Sequence, residues 1–231
     1  SGSSNEDGSI NTTSTSVSTT AGFSISKFTG TNSNPTVGHG LGAAPTFIII
    51  KNLGTTEGWG VGGLHLNNWN NYIPLEGTDA SYNDATMWND TAPTSTVFTV
   101  GTGNITNDQE SMVAYCFAPK QGFSKFGSYT GNGNNDGTFV FCGFRPAWLM
   151  IKQSDATGTW IVVDNKRDGY NSIDKNLSPA NSNAEDSGTD RVDFLSNGFK
   201  IRVGSSSAWN GSGSNIIYMA FAEQPFVNSK G

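Results

Sequence analysis

Apolar residues occur along this chain in short bursts, separated by runs rich in Gly, Asn, Asp, Ser and Thr. Some bursts alternate strictly. In "FKIRV", Phe199, Ile201 and Val203 fall on one side and Lys200 and Arg202 on the other, the period of a half-buried strand. "FIII" (Phe47 to Ile50) and "WLMI" (Trp148 to Ile151) do not alternate, which predicts strands buried on both faces. No stretch holds a helical period for about ten residues. The pattern predicts strands at 22–29, 36–39, 45–52, 58–65, 71–76, 95–101 and 111–118. It predicts a second series at 123–130, 137–143, 146–153, 159–164, 174–178, 191–195, 198–204 and 215–223. Ile49, Phe98, Phe117, Leu149, Ile201 and Phe221 are the expected core.

The two series repeat each other. "PTFIIIKNLGTTEGW" (Pro45 to Trp59) matches "PAWLMIKQSDATGTW" (Pro146 to Trp160) at an offset of 101. "GFSISKFTG" (from Gly22) matches "GFSKFGSYTG" (from Gly122), "VFTVG" (from Val97) matches "KIRVG" (from Lys200), and "YCFAP" (from Tyr115) matches "MAFAE" (from Met219). Ordered matches at a nearly constant offset point to tandem duplication. The expected fold is all-β: two tandem antiparallel β-sandwich, jelly-roll-like repeats of about 100 residues each. Residues 21–120 form the first and 121–231 the second; one larger sandwich sharing strands is the alternative. Residues 1–20 are a Ser/Thr-rich linker or extended arm.

Composition narrows the function. Helix formers are sparse, and 29 glycines accompany the polar turns. With 13 basic and 19 acidic residues the net charge is −6, which disfavours nucleic acid and anionic membranes. No apolar run approaches the ~20 residues of a membrane span, and no signal-like layout opens the chain. Cys116 and Cys142 lie inside apolar runs and read as small buried side chains.

Few motifs carry chemistry. "GNGNNDG" (Gly131 to Gly137) resembles the first half of a calcium loop, but its twelfth position is Gly143, so a hairpin loop is expected. "GWGVGG" (Gly58 to Gly63) has dinucleotide-type glycine spacing without the helix that must follow. His39 and His65 have no histidine counterparts in the second repeat and read as structural. "DNKRD" (Asp164 to Asp168) reads as a solvated loop. No metal site, cofactor or catalytic constellation is expected.

The aromatic residues divide. Trp59, Trp148 and Trp160 lie in or beside apolar strands and read as core. Trp69, Trp88 and Trp209 are flanked by Asn, Asp, Ser or Thr, and Tyr170 takes the place of Trp69 in the second repeat. Sugar C–H faces stack on aromatic rings while hydroxyls pair with amides and carboxylates. Trp69, Trp88, Tyr170 and Trp209 are therefore the candidate carbohydrate-binding residues. The competing expectation is that the loop tryptophans fold back as lids on the sandwich ends.

The long motifs "GFSISKFTGTNSNPTVGHGLGAAPTFIIIKN", "WNDTAPTSTVFTVG", "MVAYCFA" and "GFSKFGSYTGNGNNDGTFVFCGFRPAWLMIKQ" resemble a repeat family of bacteriophage structural proteins. That family is common in phages of marine bacteria and cyanobacteria, often near the C-terminus of tail or fibre proteins. The resemblance covers nearly everything after residue 21 and brings no catalytic residues. It implies a non-enzymatic virion structural module, a tail-fibre or particle-surface protein adhering to host-surface glycan. A purely structural assembly or decoration module is the alternative, and a polysaccharide depolymerase the second alternative. The implied partners are a host cell-surface glycan or other virion proteins, with homo-oligomers (a trimer in a fibre) and neither nucleic acid nor membrane. The implied location is the extracellular particle, after synthesis in the host cytoplasm without a signal peptide.

Overall fold

The computed structural model describes residues 2–204 and 206–224. The protein is nearly all β, built of antiparallel sheets in two compact units. Unit 1 comprises Ser1–Leu75 and Ser81–Pro119; unit 2 comprises Glu76–Ala80 and Lys120–Gly231.

Unit 1 contains β1 (Ser14–Ser18), β2 (Phe23–Thr29), β3 (Thr36–Gly38), β4 (Phe47–Asn52), β5 (Trp59–Gly63), β6 (Asn71–Pro74) and β7 (Tyr82–Asn83). A one-turn helix, α1 (Ala85–Trp88), follows, then β8 (Val97–Thr99), α2 (Asn104–Asn107) and β9 (Ser111–Phe117). The large sheet runs β1-β2-β9-β4-β5-β6-β7, and β3 pairs with β8 in a small one. Strand β9 shows why the sheet has two kinds of face. Met112, Ala114 and Cys116 are buried and point to the core, while Val113, Tyr115 and Phe117 alternate with them and are half-buried. Cys116 lies opposite Ile48 and Ala114 opposite Ile50, joining Phe28, Val37 and Phe98 in one core.

Unit 2 contains β10 (Ser124–Thr130), β11 (Phe139–Phe141), β12 (Trp148–Gln153), β13 (Ile161–Asp164), β14 (Val192–Leu195), β15 (Gly198–Ile201), α3 (Ser207–Asn210) and β16 (Asn215–Phe221). One sheet runs β10-β16-β12-β13 and the other β11-β15-β14. Tyr129, Leu149, Ile151, Phe199, Ile201, Ile216 and Tyr218 lie in the core of this unit. Phe199 and Tyr218 meet edge to face at 5.3 Å. The order β2-β9-β4-β5 in unit 1 has its counterpart in β10-β16-β12-β13, and β3-β8 in β11-β15.

Three of the expected core residues, Phe98, Leu149 and Ile201, are buried. Ile49, Phe117 and Phe221 are only half-buried, a correction with a simple cause. Each occupies the odd register of its strand, on the face turned away from the small sheet. There Phe117 meets Phe23 at 4.9 Å and Phe47 at 6.4 Å. Of the two strands expected to be buried on both faces, β12 is so from Leu149 to Gln153, whereas β4 keeps Ile49 and Lys51 half-buried. The predicted strand at 174–178 is reduced to isolated bridges, Asn176 with Asp186 and Leu177 with Val162.

Within 1–20, β1 pairs along β2, Ile10 bridges Val37 of β3, and Ile10 packs on the unit 1 core. The arm therefore spans the edges of both sheets of unit 1. A hydroxyl relay fixes it: Thr12 to Thr15 at 2.8 Å, Thr15 to Ser26 at 3.1 Å, and Ser26 Oγ donating to the Gly38 carbonyl at 3.0 Å.

Phe98→Ala should cost about 3–5 kcal/mol in urea unfolding, the range for emptying an aromatic site in a closed core. Phe117→Ala should cost clearly less. Equal losses would show that the outer face is packed as tightly as the core.

Candidate functional site

The aromatic residues nominated from sequence do not form a common surface. Trp69, Trp88 and Trp209 are 2%, 0% and 2% exposed. Trp69 sits at a positive φ of 73° in the loop after β5, and its ring meets Trp88 edge to face at 5.5 Å. Trp88 closes α1, which begins where the Asp84 carboxylate accepts the Thr86 N–H at 2.9 Å. Trp209 lies within α3 in unit 2, and its carbonyl accepts the Tyr129 hydroxyl at 2.7 Å. Their polar neighbours belong to caps and turns, while the rings fill the cores. A buried ring has no free face for a sugar, so three of the four candidates are lids. Tyr170 alone is open, at 88% exposure.

The lids also explain "GWGVGG". A Cβ placed on Gly62 would lie 2.3 Å from Cε2 of Trp88, and one on Gly60 2.9 Å from Ile105. These glycines make room for helix side chains laid on β5. At an offset of 101, unit 2 has Ile161 and Val163, which fill its core directly.

Each unit has a polar centre that the sequence reading missed. Asn107 and Asn210 are fully buried, at 0% exposure, at the ends of α2 and α3. The Asn107 amide donates to the Ser33 and Gly101 carbonyls at 2.7 and 2.6 Å, and its oxygen accepts the Thr31 N–H at 2.8 Å. The Asn210 amide donates to Asn132 Oδ1, Asn134 O and Val203 O at 2.9, 2.8 and 3.1 Å, and its oxygen accepts the Asn132 N–H at 2.9 Å. Each asparagine ties the loop after the first core strand to the end of the small sheet. The signal was present: "VGTGNITN" from Val100 and "VGSSSAWN" from Val203 both carry Asn seven positions after Val.

The titratable groups are similarly engaged. His39 is buried; its Nε2 faces the Thr94 carbonyl at 3.2 Å and its Nδ1 accepts the Leu41 N–H at 3.2 Å. Burial lowers its pKa below the ordinary imidazole value. His65 lies exposed in the loop after β5. Cys116 and Cys142 are free, buried thiols; burial pushes Cys142 up to about 12 and Cys116 higher still. In "GNGNNDG", Asn132 Oδ1 accepts the Asn134 N–H and Asn134 Oδ1 accepts the Asp136 N–H, the local bonding of a hairpin loop. Around "DNKRD", Arg167 pairs with Asp164 at 3.0 Å and Lys175 with Asp168 at 3.5 Å. Among the described residues, no three His, Cys, Asp or Glu side chains stand close enough to hold a metal ion.

The repeated lysines cap backbone. Lys51 Nζ donates to the Glu57 carbonyl and Lys152 Nζ to the Gln153 carbonyl, both at 2.5 Å. Lys152 is fully buried, and desolvation lowers it to about 8, against the pull of Asp79 and Asp155.

A family model described as a domain of unknown function, DUF7483, matches residues 1–225. The chain belongs to that family. The matched range includes the arm and parts of both units. No curated protein and no solved structure matches the chain.

Two outcomes test this account. Asn107→Ala and Asn210→Ala should each cost about 2–4 kcal/mol in denaturant melts, because several buried backbone groups lose their partner. Losses under about 0.5 kcal/mol would show that the loops hold without the amide. For Lys152, the folded pKa lies below the unfolded value of 10.5, so stability should rise with pH between about 8 and 10.5. Lys152→Met should be more stable than the parent at pH 7 by about 1–3 kcal/mol, and the gain should shrink above pH 8. A gain independent of pH would refute the buried ammonium as its source.

Proposed function

We propose that this chain is a non-enzymatic structural module of a bacteriophage particle, an assembly or decoration element joining other virion proteins. One observation carries the choice over loop adhesion: the loop tryptophans Trp69, Trp88 and Trp209 are sunk in the cores. Loops locked in this way suit a rigid spacer. The recurring strand order supports two copies of one building unit, and the resemblance of the long motifs to phage structural repeats supports the virion setting. Self-association into a trimer belongs to the same reading if the particle element is a fibre.

The test is location. An antibody raised against the recombinant chain should decorate intact, purified particles in electron micrographs. Labelling confined to the soluble fraction of infected cells would overturn the reading. Release of reducing ends from host polysaccharide by the recombinant chain would replace it with a depolymerase.

A further inference from the structure

The small sheet of unit 2 presents a surface whose counterpart in unit 1 is covered. Gly38 and Gly40 correspond, at an offset of 101, to Phe139 and Phe141. In unit 1 the arm occupies the space beside the glycines. A Cβ on Gly38 would lie 1.6 Å from Asn5 Oδ1, and one on Gly40 2.9 Å from Val17 Cγ2. In unit 2 two phenylalanines stand in those positions, 44% and 57% exposed, with Val140 between them turned into the core.

Strand addition at this edge is opposed. Lys125 Nζ donates to the Phe141 carbonyl at 2.6 Å and sits 5.3 Å from the centre of its ring. A lysine over an edge strand is a common guard against pairing with another chain. What remains open is the face of the strand.

That face continues into polar ground. Phe139 pairs with Lys200 on β15, and Arg202 follows on the same side. Beside Arg202 opens a cavity of about 310 Å³, lined by Asn135, Thr189, Asp190 and Val203 as well. The cations are balanced: Lys200 pairs with Asp136 at 2.5 Å and Arg202 with Asp193 at 3.4 Å. An amide, a hydroxyl, a carboxylate and a guanidinium around a bowl, with two aromatic faces on a rigid strand, match a ligand with apolar C–H faces and many hydroxyls. The balance of charge argues against an ionic ligand.

We propose that this face is a carbohydrate-binding surface for an uncharged oligosaccharide. Its rings stack on Phe139 and Phe141, and one residue enters the bowl to hydrogen-bond Asn135, Asp190 and Arg202. The distance from Gly198, opposite Phe141, to Arg202 is four residues, about 13 Å at ~3.3 Å per residue, which suits an oligosaccharide. This goes beyond the structural role and places adhesion on unit 2 rather than on the loop tryptophans.

The test uses the full chain, multimerised on a tetravalent carrier, on an array of neutral di- to tetrasaccharides of glucose, galactose, mannose and N-acetylhexosamines. Valency is needed because single stacking contacts are weak. Binding should appear and should fall at least about tenfold in Phe139→Ala, Phe141→Ala and Arg202→Gln, with thermal unfolding unchanged. Tyr170→Ala should bind like the parent. No binding at high valency, or binding lost in Tyr170→Ala and kept in the phenylalanine variants, would overturn the proposal. So would phenylalanine variants that lose a protein partner in particle extracts while the parent ignores every glycan. Particle labelling is read independently, so each reading can fail alone.

Discussion

A buried carboxamide has to satisfy its donors and its acceptor without water, and the architecture of each unit is organised around one that does. Asn107 and Asn210 reach two or three carbonyls and one backbone N–H each, drawn from segments far apart in sequence. A packed sandwich core resists separation of its sheets but says little about the path of the loops between them. The amide supplies that information. It sets where the chain leaves the first core strand relative to the end of the small sheet, and it fixes the short helices α2 and α3 that carry it. Unmet hydrogen bonds in a low-dielectric interior are costly, so alternative loop paths are penalised.

The two cores reach similar closure by different means. Unit 1 keeps β5 bare at Gly60 and Gly62 and brings in Trp88 and Ile105 from one-turn helices. Unit 2 has Ile161 and Val163 in those places. In both units side chains cover the strand, as close packing requires. Neither exchange works alone. A valine at position 62 would meet the indole, and a glycine at 163 would leave a void.

Much of the strand layout is legible in the sequence because its causes are local: alternation in "FKIRV", absence of alternation in "FIII", and turn residues between bursts. The all-β class follows from the same signals. The candidate site is poorly legible. Trp69, Trp88 and Trp209 have polar neighbours because they sit in a turn and in helices of four residues, too short to show a period. Side-chain direction at such a turn depends on tertiary packing, which neighbour composition does not encode. Phe139 and Phe141 look like core in "TFVFCGF"; their exposure follows from the alternation about Val140 and from the outer position of β11 in its sheet. The recurrence of Asn after "VG" is visible, yet nothing in a lone Asn distinguishes a surface turn from a buried tie.

The edges of the small sheets are protected unequally. In unit 1 a whole segment of the chain lies along the strand, fixed by backbone bridges and a chain of hydroxyls. In unit 2 the described guard is the ammonium of Lys125. Mutational drift therefore meets different resistance in the two halves. Substitutions in the arm are buffered by many small contacts, whereas a neutral residue at 125, or acylation of its amine, uncovers a strand carrying two phenylalanines. The loss of that one positive charge would leave an unguarded strand edge, the usual starting point for edge-to-edge aggregation.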